Sequence, residues 1–183
     1  SGSNEFLPFD RWVGQFICAR SYGIEELGLL ENCRQLAMEG WTVIERAADE
    51  EFNECLRNRI LELADRGGAN MLLTKDDLFP AAVLNPKLLA MAEFSVGRGF
   101  LLSQVAASVR SMDSPVIGLH ADNNWLPALF PAHNMLLTAC WACDEYSKVG
   151  GATLVIPGSA NLRRHPSEEE VKALAGAIAI ECP

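Results

Sequence analysis

An α+β fold, with a mainly β core beneath a helical cover, is what this chain of 183 residues predicts. Three observations lead there. Apolar residues recur at helical spacing through most of the first hundred positions, and short runs of strand formers separated by turn residues take over after Gly99. A composition of 49% hydrophobic and 21% charged residues belongs to a globular chain able to bury one substantial core. We read a single domain over residues 4–183, with Ser1-Gly2-Ser3 as a cloning remnant outside it.

From Gly23 to Met38 the residues Ile24, Leu27, Leu30, Leu36 and Ala37 fall at near-helical spacing, and Gly40 closes the run as a C-cap. Trp41-Thr42-Val43-Ile44, β-branched and aromatic, predicts a short strand. Asp49 caps a second helix whose buried face is Phe52, Cys55, Leu56, Ile60 and Leu63, and Gly67-Gly68 ends it. A third helix runs from about Pro86 to Arg98, where proline suits the first turn and Leu88, Leu89, Met91, Ala92 and Phe94 form the apolar stripe.

Beyond Gly99, Phe100 to Val109 and Val116 to His120 predict strands on either side of the turn-like Ser111-Met112-Asp113-Ser114-Pro115. Leu136 to Cys143 and Ala152 to Ile156 continue the series, with Lys148-Val149-Gly150-Gly151 as a hairpin-like connection. Glu168-Glu169-Glu170 reads as the solvated first turn of a helix. Ala177 to Cys182 alternates like a strand that has begun, with no partner strand behind it; C-terminal strands are expected to be missing, as if the domain were cut.

A net charge of -9 and the lack of any Lys/Arg cluster argue against a nucleic-acid surface. No signal peptide or long apolar span is evident and the six cysteines are scattered, which predicts a cytoplasmic, reduced protein with no membrane partner and no disulfides. Cys140-Trp141-Ala142-Cys143 spells a C-x-x-C, but within an apolar run rather than at a helix start, where a redox pair gains its low thiol pKa. We set redox and zinc roles aside there.

The chemistry concentrates at His120-Ala121-Asp122, which follows the apolar Val116, Ile117 and Leu119 and opens onto an aromatic, proline and asparagine loop. On an extended chain residues i and i+2 project the same way, so an imidazole and a carboxylate can grip one metal ion. That mixed N/O set suits ferrous iron, with a second histidine completing a facial triad. With 3 His and 8 Asp in the chain the spacing arises by accident at about 0.13 per sequence of this kind, so it is also what an ordinary hydrogen-bonded pair looks like.

The order of features resembles one family. Glu39-Gly40-Trp41-Thr42-Val43-Ile44, then Phe100-Leu101-Leu102-Ser103-Gln104, then His120-Ala121-Asp122, then Gly150-Gly151-Ala152-Thr153-Leu154-Val155-Ile156-Pro157-Gly158-Ser159 together resemble the phytanoyl-CoA dioxygenase family, over about residues 24 to 183. The resemblance implies a double-stranded β-helix, a jelly-roll (cupin-like) barrel with N-terminal helices, and an oxygenase dependent on iron(II) and the co-substrate 2-oxoglutarate, with O2 as oxidant and ascorbate as an accessory reductant. It implies that His120 and Asp122 are the first two metal ligands and that Trp141 lines the 2-oxoglutarate pocket, although plain core packing is an equal reading of that tryptophan. Gln104, an amide on an apolar strand, either faces the co-substrate or makes a structural hydrogen bond to a neighbouring loop.

This chain departs from the family at two places. Histidine normally follows the Pro-Gly-Ser turn, where Ala160 stands here, and the second metal histidine and the 2-oxoglutarate arginine come from strands past Pro183. His133 and His165 sit in loop-like contexts and make poor third ligands, and Arg163 and Arg164 are expected to be solvated. Asp122 argues for hydroxylation over halogenation, since related halogenases replace the carboxylate by a small residue. Trp125, Leu126, Leu129 and Phe130 read either as an apolar lid over a small organic or acyl substrate or as barrel-mouth packing. Two rivals remain: a catalytically silent barrel serving as a binding or scaffold module, and a cupin-like metal enzyme that does not use 2-oxoglutarate.

Overall fold

The computed structural model describes residues 23–65, 67–111 and 113–182; Ser1-Gly2-Ser3, Cys18, Met112 of the expected turn and Pro183 lie outside them. Helix α1 (Leu30–Glu39) begins later than its apolar period, because residues 23–28 form turns instead. Gly40 ends it in the left-handed conformation, φ 82° and ψ 6°, with its N–H on Leu36 O. Helix α2 (Glu50–Leu63) is capped as expected: the Asp49 carboxylate accepts from Phe52 N–H. Helix α4 (Pro86–Val96) carries proline in its first turn, and the Asn85 side chain accepts from Lys87 and Leu88 N–H. The Asn85 amide also donates to Ala47 O at 2.7 Å, tying the loop before α2 to the start of α4.

Between them lies α3 (Leu78–Val83), which the sequence reading lacks; six residues with Pro80 near the start carry too little period to read. Two apolar clusters hold these helices. One joins α1 to α4 through Leu29, Cys33, Met91 and Phe94, with Leu29 and Cys33 only 1% exposed. Burying a leucine to that extent stabilises the fold by about 1.5–3 kcal/mol relative to leaving it in water. The other gathers Leu56 of α2, Leu72 and Phe79, with Trp141 and Cys143 packed against it from the second half of the chain.

The strands are short. β1 (Gly68–Ala69) pairs antiparallel with β2 (Ala107–Ser108), and β3 (Leu154–Val155) pairs antiparallel with β4 (Ile178–Ala179). Among the described residues these form two two-stranded sheets and close no barrel. The alternating segment 177–182 therefore has a partner, upstream rather than behind it, in the register Leu154↔Ala179 and Val155↔Ile178. Residues 148–151 do turn, with Ala152 N–H on Ser147 O, but β3 leaves that turn to pair with β4, not with the 136–143 run.

Trp41–Ile44 makes no ladder. Side chains of α1 tie it instead, Asn32 Nδ2 donating to Val43 O at 2.7 Å and Thr42 Oγ1 to Gln35 Oε1 at 2.9 Å. Of Phe100–Val109 only β2 is laddered, and 116–120 and 136–143 carry no ladder of their own. Leu101 and Val116 are correspondingly 91% and 93% exposed. Strand composition marks a segment as able to pair; the partner is a long-range matter that a run of β-formers does not encode.

Candidate metal centre

His120 and Asp122 meet, with His120 Nε2 at 3.3 Å from Asp122 Oδ1, on a stretch that bends at Leu119 and Asp122 rather than on the expected strand. His120 Nδ1 lies 2.7 Å from Gly118 O. A carbonyl only accepts, so the ring hydrogen belongs on Nδ1, and in the neutral imidazole Nε2 carries the lone pair. Two acceptors facing each other repel unless a cation lies between them. A proton there makes an ion pair, and a metal ion there makes a chelate. Two ligand atoms each about 2.1 Å from one metal and in cis positions lie about 3.0 Å apart at a right angle, and 3.3 Å corresponds to an angle of about 100°. The separation therefore lies between the right angle of a six-coordinate ion and the wider angle of a four-coordinate one, and suits two ligands of one metal. A histidine whose other nitrogen donates to a backbone carbonyl is also how metal-bound imidazoles are commonly oriented.

The second carboxylate oxygen is engaged as well, because Thr138 Oγ1 donates to Asp122 Oδ2. Thr138 comes from the 136–143 run, whose alternation sorts its side chains. Thr138 and Cys140 approach Asp122; burial pushes the Cys140 thiol above its usual pKa and the Asp122 carboxylate adds to that. Trp141 and Cys143, of the other parity, join the cluster around Leu56. The Trp141 indole donates to Asn53 Oδ1 at 2.9 Å and meets Phe52 edge-on with ring centroids 5.8 Å apart. Core packing, one of the two roles the sequence left open for Trp141, accounts for all of these contacts. Gln104, expected on an apolar strand, is exposed and outside any ladder, and its amide donates to Asn70 Oδ1 at 3.4 Å.

The pair stays open to solvent, with His120 and Asp122 side chains 53% and 48% exposed. No group of three or more His, Cys, Asp or Glu placed to hold a metal occurs among the described residues. His165 is committed elsewhere: its Nε2–H donates to Leu126 O at 2.9 Å and its ring meets Phe130 edge-on at 4.7 Å. His133 lies exposed in the same stretch.

Arg163 and Arg164, expected in solvent, are both engaged. Arg163 donates to Asn134 Oδ1, and Arg164 makes a two-pronged contact with Glu170 at 2.7 and 2.8 Å. Segment 163–165 thus straps the loop that follows the pair, reinforced by Phe130 N–H on Arg163 O at 2.7 Å. Within that loop Leu129 sits at φ 68°, a strained value for a branched side chain, and is 84% exposed.

Sequence reasoning missed Thr138. Its signal was present: in an extended run Thr138 shares parity with Cys140 and not with Trp141, so an anchored tryptophan turns threonine toward the opposite face. No helix among the described residues is long and apolar enough to cross a membrane. No protein-family model matches this chain, and no solved structure matches it.

Proposed function

We propose that the chain carries part of an iron(II) and 2-oxoglutarate dependent hydroxylase site, on a double-stranded β-helix, acting on a small apolar or acyl substrate in the cytoplasm. The observation that carries this reading is the convergence of His120 Nε2 and Asp122 Oδ1 at chelating distance, with the imidazole tautomer fixed by Gly118 O. When bound, iron supplies the activation of O2, so that 2-oxoglutarate becomes succinate and carbon dioxide while the second oxygen atom enters a substrate C–H bond.

The chain's own residues do the rest. His120 presents a neutral nitrogen donor, and Asp122 offsets one of the two positive charges of the ion. Leu126 and Phe130, which follow the pair in the chain and are held by the 163–165 strap, would offer apolar surface to a substrate. The support for the β-helix reading is the antiparallel pairing of β3 with β4. By the resemblance, a second histidine would be the third ligand and an arginine would pair with 2-oxoglutarate.

An anaerobic iron(II) titration with and without 2-oxoglutarate, on this chain and on one continuing past Pro183, tests the proposal. The expected result is the weak visible charge-transfer band of the chelate in the longer chain, lost in His120→Ala and in Asp122→Ala. Iron binding unchanged in both variants would sink it, and would leave the pair as a surface ion pair in a non-catalytic binding module.

A further inference from the structure

We infer that Thr138 is a positioning residue that makes Asp122 a one-oxygen ligand and so biases the centre toward a six-coordinate transition-metal ion over calcium. The inference rests on the metal reading of the His120/Asp122 pair. A carboxylate on a flexible stem can turn either oxygen, or both, toward a cation, and calcium, with its 6–8 oxygen ligands, readily takes both. Here the Thr138 hydroxyl donates to Oδ2, which leaves Oδ1 as the oxygen that faces His120 Nε2 at 3.3 Å.

The hydroxyl is itself held in place from behind. The run that bears Thr138 is anchored three residues on, where the Trp141 indole is bonded to Asn53 and packed against Phe52 of α2. The core therefore fixes the extended segment, the segment fixes the hydroxyl, and the hydroxyl fixes the rotation of the carboxylate. Outer partners of this kind commonly change metal affinity by about 10–100-fold when removed.

The test uses Mn(II) alone, read as paramagnetic broadening of the His120 ring protons in NMR, which reports even millimolar binding, with Ca(II) as competitor. Thr138→Val, which keeps the shape and removes the hydroxyl, should weaken Mn(II) binding by about tenfold or more and lower the Mn(II)-over-Ca(II) ratio. Thr138→Ser should restore both. Because Thr138 is exposed, Thr138→Ala carries the same expectation if the valine variant fails to fold. Unchanged affinity and ratio in the valine or alanine variant, with the wild type binding Mn(II), overturns the role of Thr138 alone. Absence of His120 broadening in the wild type overturns the metal reading and this inference with it.

Discussion

Replacing Gly40 with alanine should destabilise the protein for two separable reasons. The first is backbone: at φ 82° and ψ 6° an L-residue is in the left-handed region, which costs about 1–2 kcal/mol. The second is contact, since a Cβ at Gly40 would lie 2.6 Å from Ala160 Cβ, closer than real side chains approach. Relieving such an overlap by shifting a packed turn costs about 1–3 kcal/mol. Gly158 is a matched control with nearly the same backbone, φ 77° and ψ -8°, and nothing within 4 Å of its would-be Cβ.

Urea unfolding should therefore show a loss of about 1–2 kcal/mol for Gly158→Ala and about 2–5 kcal/mol for Gly40→Ala. In a double-mutant cycle Ala160→Gly should relieve the contact part of the Gly40→Ala loss, giving a coupling of about 1–3 kcal/mol. Equal losses at the two glycines, or no coupling to residue 160, would refute the docking of the 158–161 turn on the end of α1.

Trp141→Phe should cost about 1 kcal/mol of stability through loss of the indole bond to Asn53 and, by loosening the segment that bears Thr138, should also lower Mn(II) affinity at His120; a fall in affinity without a fall in stability would contradict the core role. Glu170 is held down to a pKa of about 2, chiefly by the Arg164 guanidinium and also by Ser167. A depressed carboxylate contributes stability that is complete above the usual carboxylate range and is lost as pH falls through about 2; NMR titration of the Glu170 side chain in Arg164→Ala should show its midpoint rising toward that range. Burial pushes the Cys33 thiol up to about 11, so alkylation at neutral pH should modify exposed Cys55 rapidly and Cys33 only on unfolding, and equal rates would contradict the α1–α4 core.

Helices were the legible part of this sequence. Their signals are local, and Asp49, Asn85-Pro86 and Gly40 mark starts and stops within a few residues of the groups they bond. The pairing of 154–155 with 178–179 was not legible, because the bonds join segments whose relation is set by everything folded between them. At the site, the closeness of His120 and Asp122 was legible from their spacing, but the bends at Leu119 and Asp122 that bring them together were not. The straps did not: Thr138 on Asp122 and His165 on Leu126 join positions far apart in the chain, and neither threonine nor histidine advertises its partner.

Gly158 to His165 works as a clasp with two jaws. At one end Gly158 N–H bonds Glu39 O and Asn161 Nδ2 bonds Met38 O, closing on the last turn of α1. At the other, Arg163 O receives Phe130 N–H and His165 grips Leu126 O, closing on the loop beside His120 and Asp122. If the two jaws open together, the amides of Gly158 and Phe130 should show one protection free energy in hydrogen exchange, and the loop that follows the pair would then be as durable as the end of a helix elsewhere in the chain.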